Sequence, residues 1–471
     1  MRAQNPSVGF DSGSFRDPDT RIFHHDGSVY RCLSARALRD WRQLAGTGFY
    51  ERFVADRRVI PTREVTDLGT LPPLDGRWAA ILEHERVPFV SYPYEWSFGM
   101  LKDAALLQLD VTRAALDEEM TLKDATAFNV QWRGAHPTFI DIGSFTAYAA
   151  GEPWAGYRQF CETFLYPLLL QAYRNVPFHP WLRGSLEGIS AAQCSALLTG
   201  RDRLRRGVLA HVVLQAQAQA RYEDTVGDVR RELRAAGFGA GLIKHNIDRL
   251  RRTVARLRWT VSRSTWSNYQ REHSYEDADL RRKGEFVGQV LDRRRWPVVW
   301  DLGCNTGHYS RMAARHADHV LALDADHLVV ERLYESLKAD GPDNILPLLA
   351  DLADPSPGLG WRGRERLPLA ERGRPALIVC LALVHHLVIG RNIPLDDFVA
   401  WLAQFGAELI LEYVGRDDPM VERLLRNRRD QELDYSGEAV RAALERHFGA
   451  ITHTTLPSGT RTLYHCLPKT P

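Results

Sequence analysis

The 471-residue chain has little lysine and no large excess of charge of either sign. Only six of its 61 Lys and Arg residues are lysine, and 61 basic against 59 acidic residues leave a formal net charge of +2. This balance argues against a strongly basic nucleic-acid coat and against an acidic tail, so a nucleic-acid partner is not expected. Apolar residues make up 44% and charged residues 25%, which is typical of a folded globular protein.

The chain also lacks closely paired cysteines, a recognisable secretory signal and a long apolar run. Its six cysteines are far apart and form no C-x-x-C pair, which argues against a zinc knuckle or a disulfide framework and fits a reducing compartment. Residues 1–19 contain no apolar segment, and the longest apolar stretch, 376–389, is too short to cross a bilayer. We therefore predict a soluble, cytoplasmic protein with no membrane partner.

The length and texture of the sequence predict three parts. Residues 1–150 mix strand-like runs at 78–82 and 88–92 with a helical stretch at 100–116, which indicates an α+β module. Residues 151–262 are mostly helical. The apolar residues of one helix there recur at spacings of three and four, as in Ile243, Ile247, Leu250, Val254 and Leu257.

Residues 263–471 alternate strand and helix, which predicts βαβ units and a parallel sheet covered on both faces. Strands are expected at 297–300, 320–323, 345–349, 377–381 and 409–414, and helices at 309–316, 328–338 and 395–404. A last pair of strands, 451–456 and 460–467, predicts an antiparallel hairpin. The fold class is α/β: a doubly wound, Rossmann-like sheet with an antiparallel C-terminal hairpin, preceded by helices and an α+β module.

The strongest motif follows the first strand of this last part and reads Asp301-Leu302-Gly303-Cys304-Asn305-Thr306-Gly307. Ligands of open α/β sheets bind beyond the carboxyl ends of the strands, and glycine lets the backbone approach a ligand closely. Asp324 ends the next strand, where a carboxylate can accept hydrogen bonds from both ribose hydroxyls of an adenosine. Asp351 follows the third strand, where an adenine amino group could be read. The alternative is that these acids only cap helices.

Two cofactors use a loop of this kind, and the glycine spacing favours one of them. A nicotinamide dinucleotide requires G-x-G-x-x-G, but Asn305 stands where the second glycine would be. The loop resembles the D-x-G-x-G-x-G signature of class I S-adenosylmethionine-dependent methyltransferases and differs at Asn305, a residue type that tolerates a left-handed backbone. The resemblance implies S-adenosyl-L-methionine as cofactor, bound by Asp301, Gly303, Cys304, Asn305, Gly307, Asp324, Asp351 and Lys283.

The resemblance to methyltransferases extends from about residue 266 to the C-terminus. Residues before the loop look like the aromatic segment that folds over the cofactor in several such enzymes: Trp266, Tyr269, Tyr275, Lys283 and Phe286. Residues 383–387, 411–414 and 417–420 are similar to the host-specific nodulation-protein type of methyltransferase. This similarity implies a small-molecule or saccharide-like acceptor and leaves the acceptor atom open.

His385 and His386 follow the fourth strand, where the transferable methyl group is expected. Methyl transfer is an in-line displacement in which positioning supplies most of the acceleration, and a neutral imidazole can take or orient the proton of an acceptor hydroxyl. Glu412, in the fifth strand, and Asp417 are further candidates. We predict catalytic roles for His385, His386 and Glu412 and no required metal; the alternative is that the histidines cap or pack.

A second group of polar residues lies in the N-terminal part. Asp124 is followed five positions later by Asn129, and Asp141 follows twelve residues after Asn129. This spacing resembles the catalytic core of protein kinase-like phosphotransferases. The resemblance implies a hydroxyl-orienting base at Asp124, magnesium ligands at Asn129 and Asp141, and a hinge between lobes at 92–96. However, no convincing glycine-rich loop and no lysine before Lys102 is present to hold phosphates, so the acids could instead cap and turn the chain.

The whole sequence predicts a methyltransferase with an N-terminal module that recruits substrate. One rival is a bifunctional enzyme with an added ATP-dependent phosphotransferase site, in which Asn129 and Asp141 would hold the metal. Another is a non-catalytic adaptor that retains both folds for binding.

Overall fold

The computed structural model describes residues 9–205, 207–216, 239–261, 277–426 and 435–469. They fall into two compact units. The first is drawn from 1–132, 137–260 and 358–367, and the second from 133–136, 261–357 and 368–471. The division of the sequence into three parts at residues 150 and 262 stays a prediction.

The strands of the first unit form a four-stranded antiparallel sheet, in the order β1-β2-β4-β3, and two separate pairs, β5 with β8 and β6 with β7. Their bounds are Thr20–His25 (β1), Ser28–Leu33 (β2), Thr62–Glu64 (β3), Ala80–His84 (β4), Met120–Leu122 (β5), Val130–Arg133 (β6), His136–Phe139 (β7) and Phe145–Ala147 (β8). The strand predicted at 78–82 is therefore present two residues later, as β4.

The strand predicted at 88–92 is absent from the structure. The side-chain amide of Gln131 takes both backbone groups of Ser91: its Oε1 accepts from the Ser91 N–H and its Nε2 donates to the Ser91 carbonyl, each at 2.9 Å. Because a side chain satisfies this backbone, no neighbouring strand is needed. Phe89 and Tyr92 are buried and Val90 is exposed, and none of them belongs to a sheet.

The described residues of the first unit contain eight α-helices. Their bounds are Ala35–Ala45 (α1), Gly48–Ala55 (α2), Phe98–Asp117 (α3), Tyr157–Phe160 (α4), Tyr166–Arg174 (α5), His179–Gly184 (α6), Ala191–Leu197 (α7) and Ala240–Arg256 (α8). Helix α3 confirms the predicted helix at 100–116 and begins after Ser97, whose hydroxyl accepts from the Met100 N–H. Helix α8 buries Ile243, Ile247, Leu250 and Val254, as their spacing predicted.

The second unit is a seven-stranded sheet that confirms the predicted fold class. Its order is β11-β10-β9-β12-β13-β15-β14, with β9 to β13 parallel and β15 antiparallel to both of its neighbours. The strands are Trp296–Leu302 (β9), Ala317–Asp324 (β10), Ile345–Leu349 (β11), Leu377–Cys380 (β12), Glu408–Val414 (β13), Phe448–Thr455 (β14) and Arg461–Pro468 (β15). The order reverses between β9 and β12, and ligands of open α/β sheets bind at such a reversal.

The helices of the second unit connect these strands. They are Asp277–Leu291 (α9), His308–Ala314 (α10), His327–Asp340 (α11), Val384–Arg391 (α12), Leu395–Ala403 (α13), Pro419–Leu425 (α14) and Gly437–His447 (α15). Helices α10, α11 and α13 confirm the three predicted ones, whereas α12 was not predicted. Across the described ranges of both units, no helix combines the length and the apolar character needed to cross a membrane.

Candidate active site

A cavity of about 320 Å³ lies in the second unit at the reversal of strand order. Five of the residues predicted for the site line it: Gly303, Asn305, Asp324, Asp351 and His386. The other six lie outside its lining: Asp301, Cys304, Gly307, Lys283, His385 and Glu412. The structure thus separates residues that can touch a ligand from residues that support the site.

The loop after β9 has the conformation that its sequence requires. Gly303, Asn305 and Gly307 all have positive φ angles, of 73°, 48° and 82°. The Asn305 side chain supports this turn, because its Oδ1 accepts from the Thr306 N–H at 2.8 Å. At Gly307 a Cβ atom would lie 2.6 Å from Leu333 Cδ1, so a side chain there would force a shift. Asn305 therefore adopts a left-handed conformation at the position where the methyltransferase signature has a glycine.

Asp324 ends β10 and presents a carboxylate to the cavity. Its two oxygens each accept one backbone N–H at 2.9 Å, from Asn305 and from Asp326. Withdrawal from water raises the pKa of this carboxyl to about 6, and the backbone hydrogen bonds only partly oppose that increase. Since a carboxylate has about four lone-pair positions, two remain to accept the hydroxyls of a ribose.

Asp301, Cys304 and Gly307 support the loop rather than lining the cavity. Asp301 is 3% exposed and accepts a hydrogen bond from the Ser310 hydroxyl at 2.5 Å, which ties β9 to helix α10. Burial raises the pKa of its carboxyl to about 6. The Cys304 side chain is buried, and its backbone N–H donates to the Leu323 carbonyl at 3.0 Å. The cofactor-binding roles of Asp301 and Cys304 stay predictions; in this structure both residues hold the loop in place.

Glu412 and Lys283, predicted as a catalytic and a cofactor-binding residue, belong instead to a buried ion network. Lys283 Nζ lies 2.7 Å from Glu412 Oε2, and Arg461 Nη1 lies 3.1 Å from Glu412 Oε1. Arg461 also binds Asp418, which caps helix α14 through the Met420 N–H. Each of the four side chains is at most 4% exposed.

The catalytic role of Glu412 and the cofactor-binding role of Lys283 stay predictions, and the network bears on both. Two cations already neutralise the Glu412 carboxylate, so it is a poor proton acceptor for a substrate. Burial lowers the pKa of Lys283, and the nearby Glu412 only partly offsets that effect. Both residues instead link helix α9, strand β13 and strand β15. Phe286 also lies on α9, whereas Trp266, Tyr269 and Tyr275 lie outside the described residues.

The two histidines occupy different faces of helix α12. His386 lines the cavity, and burial lowers its pKa to about 4, so its imidazole is neutral near pH 7. His385 is 1% exposed, and neither ring nitrogen has a hydrogen-bond partner among the described residues. The ring centroids of the two histidines lie 4.0 Å apart, but only His386 belongs to the lining of this cavity. His386 is thus the histidine of the pair that lines the cavity, and the catalytic roles of both stay predictions.

Helix α12 also contributes residues that the sequence analysis missed. Its cavity-lining residues are Leu383 at its N-cap, then His386, Leu387, Gly390 and Arg391. The spacing of three, one, three and one is that of a single helical face, and this signal is visible in the sequence once a helix is assumed. Arg391 Nη2 lies 2.7 Å from Asp351 Oδ2, so this face runs from the imidazole to the predicted adenine-reading carboxylate.

Asp124 and Asp141 are paired within the first unit, whereas the buried Asn129 Nδ2 has no hydrogen-bond partner among the described residues. Asp141 lies 3.0 Å from Arg31 Nη2, and Asp124 accepts from Gln159 Nε2 at 3.2 Å. Burial, followed by the charge of Asp141, raises the pKa of Asp124. In the described part of the chain, no three or more His, Cys, Asp or Glu side chains are grouped to hold a metal ion. The kinase-like interpretation of Asp124, Asn129 and Asp141 stays a prediction.

Comparison with known proteins shows one relative that spans the chain. It is nodulation protein NoeA of Rhizobium meliloti (strain 1021), 33% identical over 475 residues, with 98% of this chain and 97% of that protein covered. A shorter match, 29% identical over 128 residues, is to the 23S rRNA (uracil(1939)-C(5))-methyltransferase RlmD of Methylococcus capsulatus and covers 27% of this chain and 29% of that protein. No protein-family model matches the chain.

Solved structures align with part of the chain. The N-methyltransferase NodS from Bradyrhizobium japonicum WM9 is 12% identical, covers 41% of this chain and 99% of its own, and has a TM-score of 0.31. A SAM-dependent methyltransferase from Aquifex aeolicus is 17% identical, covers 44% of this chain and 100% of its own, and has a TM-score of 0.30. The sheet order and the loop after β9 give the second unit the doubly wound fold expected of class I S-adenosylmethionine-dependent methyltransferases. The chain belongs to the family of nodulation protein NoeA.

Proposed function

We propose that this domain transfers a methyl group from S-adenosyl-L-methionine to a small-molecule or saccharide-like acceptor whose nucleophilic atom is oriented by His386. One observation carries the proposal: a single cavity brings together the loop after β9, the carboxylates of Asp324 and Asp351, and the neutral imidazole of His386. The loop and the carboxylates of Asp324 and Asp351 suit an adenosine and its sulfur-bearing chain. The imidazole is the polar group left for an acceptor.

The residues present fit this cofactor. Asp324 retains lone pairs for two ribose hydroxyls, and the backbone at Gly303 and Asn305 can approach a ligand because no bulky side chain intervenes at the glycine. Leu387 and Leu424 add apolar surface to the cavity, which suits a purine ring. When bound, the cofactor would supply an electrophilic methyl carbon to the acceptor lone pair, and its sulfur would leave as the thioether of S-adenosylhomocysteine.

His386 is proposed to orient the acceptor rather than to deprotonate it in advance. An imidazole with a pKa of about 4 is neutral at pH 7, so it can accept a hydrogen bond from an acceptor O–H or N–H. It is too weak a base to hold the proton of an unreacted hydroxyl. Fixing the direction of the acceptor lone pair is sufficient for an in-line displacement, in which positioning dominates the rate.

We propose that the first unit recruits or presents the acceptor. The alignment with the NoeA relative covers 98% of the chain, so the relative retains both units together. This supports a joint role without assigning ATP chemistry to Asp124, Asn129 and Asp141. A cytoplasmic location stays a prediction of the composition.

A thermal-shift panel on the full chain tests the proposal. S-adenosylhomocysteine at about a hundredfold excess over its Kd should stabilise the chain by about 2.7 kcal/mol, because it binds only the folded state. Added stabilisation by Mg-ATP would instead favour the bifunctional rival. No response to either compound would contradict the proposal and favour an adaptor. The Asp324→Ala variant is the matched control and should lose the response to S-adenosylhomocysteine.

A further inference from the structure

We infer that Arg391 is a positioning residue for adenine recognition: its guanidinium orients the Asp351 carboxylate toward the exocyclic amino group of the adenine. This inference rests on the proposed binding of S-adenosylmethionine in the crevice. It adds Arg391 as a residue that determines specificity. Arg391 belongs neither to the loop after β9 nor to the acids that follow the strands.

The position of Arg391 on helix α12 carries the first part of the argument. Arg391 is the last residue of the helix, and it lines the same cavity as His386 near the helix start. A helix rises about 1.5 Å per residue, so the two side chains leave the helix about 7.5 Å apart along one wall. A cation at a helix C-terminus is also favoured by the helix dipole. Arg391 is thus placed at the end of the crevice away from the imidazole.

The hydrogen bonds of Asp351 carry the second part. Its Oδ1 accepts the Ala353 N–H at 2.9 Å, and its Oδ2 accepts from Arg391 Nη2 at 2.7 Å. Together these bonds restrain the plane of the carboxylate, although the Arg391 side chain is 53% and the Asp351 side chain 38% exposed. A carboxylate offers about four lone-pair positions, so two stay available for the N–H groups of a ligand. Because Asp351 lines the cavity, these positions are the ones a ligand meets.

The chemical consequence is a preference for adenine over hypoxanthine. Adenine presents a donor at the position where hypoxanthine presents a carbonyl oxygen, and a carboxylate held as an acceptor pairs with the former and repels the latter. Without Arg391, only the Ala353 N–H restrains the carboxylate. The discrimination between the two bases should therefore weaken more than the binding of the shared ribose and amino-acid parts.

Calorimetry on the full chain with S-adenosylhomocysteine and S-inosylhomocysteine tests this inference. In Arg391→Ala, we expect the affinity for the adenine compound to fall about tenfold and that for the hypoxanthine compound by less than about twofold. Arg391→Lys keeps the charge and should retain part of the selectivity. Asp351→Asn can donate an N–H and should shift the preference toward hypoxanthine. Arg441→Ala, which removes an exposed ion pair with Glu445 on α15, is the matched control and should change neither affinity.

The outcomes separate the inference from the proposed function. Unchanged selectivity in Arg391→Ala, with circular dichroism showing a folded chain, would reduce the pair to a surface ion pair and overturn the inference. The proposed function would then still stand, because the wild-type chain binds the adenine compound. A wild-type chain that binds neither compound would overturn the proposed function and the inference with it.

Discussion

The crevice of the second unit and the polar residues of the first unit, Asp124, Asn129 and Asp141, contain the same residue types. Their side chains differ in their hydrogen-bond and ion-pair partners. Asp324 accepts only backbone N–H groups and borders a cavity. Asp141 is paired with the Arg31 guanidinium, and Asp124 with the Gln159 amide. Backbone donors leave the full negative charge of Asp324 available to a ligand, whereas a guanidinium partly neutralises Asp141 and, in the crevice, Asp351. Access to the cavity is therefore the property that Asp324 and Asp351 share.

The largest effect is expected on stability, at Glu412, whose carboxylate is paired with cations inside the protein. Glu412→Gln should lower the free energy of unfolding by about 3 kcal/mol, because Lys283 and Arg461 lose the charge that compensates their burial. Denaturant titration measures this change. Glu445→Gln, which removes an exposed ion pair, should change stability by less than about 0.5 kcal/mol. Equal stability of the two variants would contradict the structural role of Glu412.

Asp324→Ala tests the crevice side of the comparison. It should weaken binding of S-adenosylhomocysteine about a hundredfold, or about 2.7 kcal/mol, because both ribose hydroxyls lose their acceptor. Asp141→Asn is the control from the other region and should leave this affinity unchanged. Calorimetry on both folded variants gives the answer. Undiminished affinity in Asp324→Ala would remove Asp324 from the ribose role.

The two histidines of α12 extend the comparison to neighbouring residues. His386→Ala should lower kcat about tenfold or more and leave cofactor affinity unchanged, because the acceptor loses its orienting group. His385→Leu should leave turnover intact and raise the free energy of unfolding by about 1 kcal/mol, since it removes two buried ring nitrogens without partners among the described residues. Transfer of a labelled methyl group and denaturant titration measure these effects. The reverse pattern would assign the catalytic role to His385.

The smallest effect is a dependence on pH. Asp324 has a pKa of about 6, and its ionised form accepts the ribose hydroxyls, so affinity for S-adenosylhomocysteine should fall about tenfold from pH 7.5 to 5. Stability should change in the opposite sense. The folded-state pKa of Asp324 lies above the unfolded value, so protonation of this group favours the fold and its own contribution to the free energy of unfolding should rise as pH falls from 6 to 4. In Asp324→Asn, calorimetry at several pH values should show a flatter profile.

Much of the second unit could be predicted because its signals are local. Strands of a parallel sheet are buried on both faces and appear as short apolar runs, which is why the five parallel strands β9 to β13 were found near their true bounds. The antiparallel β14 and β15 were found as a hairpin around residues 457–459. The loop after β9 was identified because only glycine and asparagine adopt its left-handed turns readily. Helix α12 was missed because it begins directly after β12 within one continuous apolar stretch. A run of this kind does not distinguish strand from helix.

The sequence by itself determined the α/β class, the loop at Gly303 and the acids that follow the first three strands of the sheet. These features depend on backbone sterics and on periodicity over a few residues. Only the tertiary structure decided which polar groups meet. It pairs Glu412 with Lys283 and Arg461, and it turns His386 rather than His385 toward the crevice. Such contacts join residues far apart along the chain, so no local pattern determines whether a carboxylate is satisfied internally or left for a ligand.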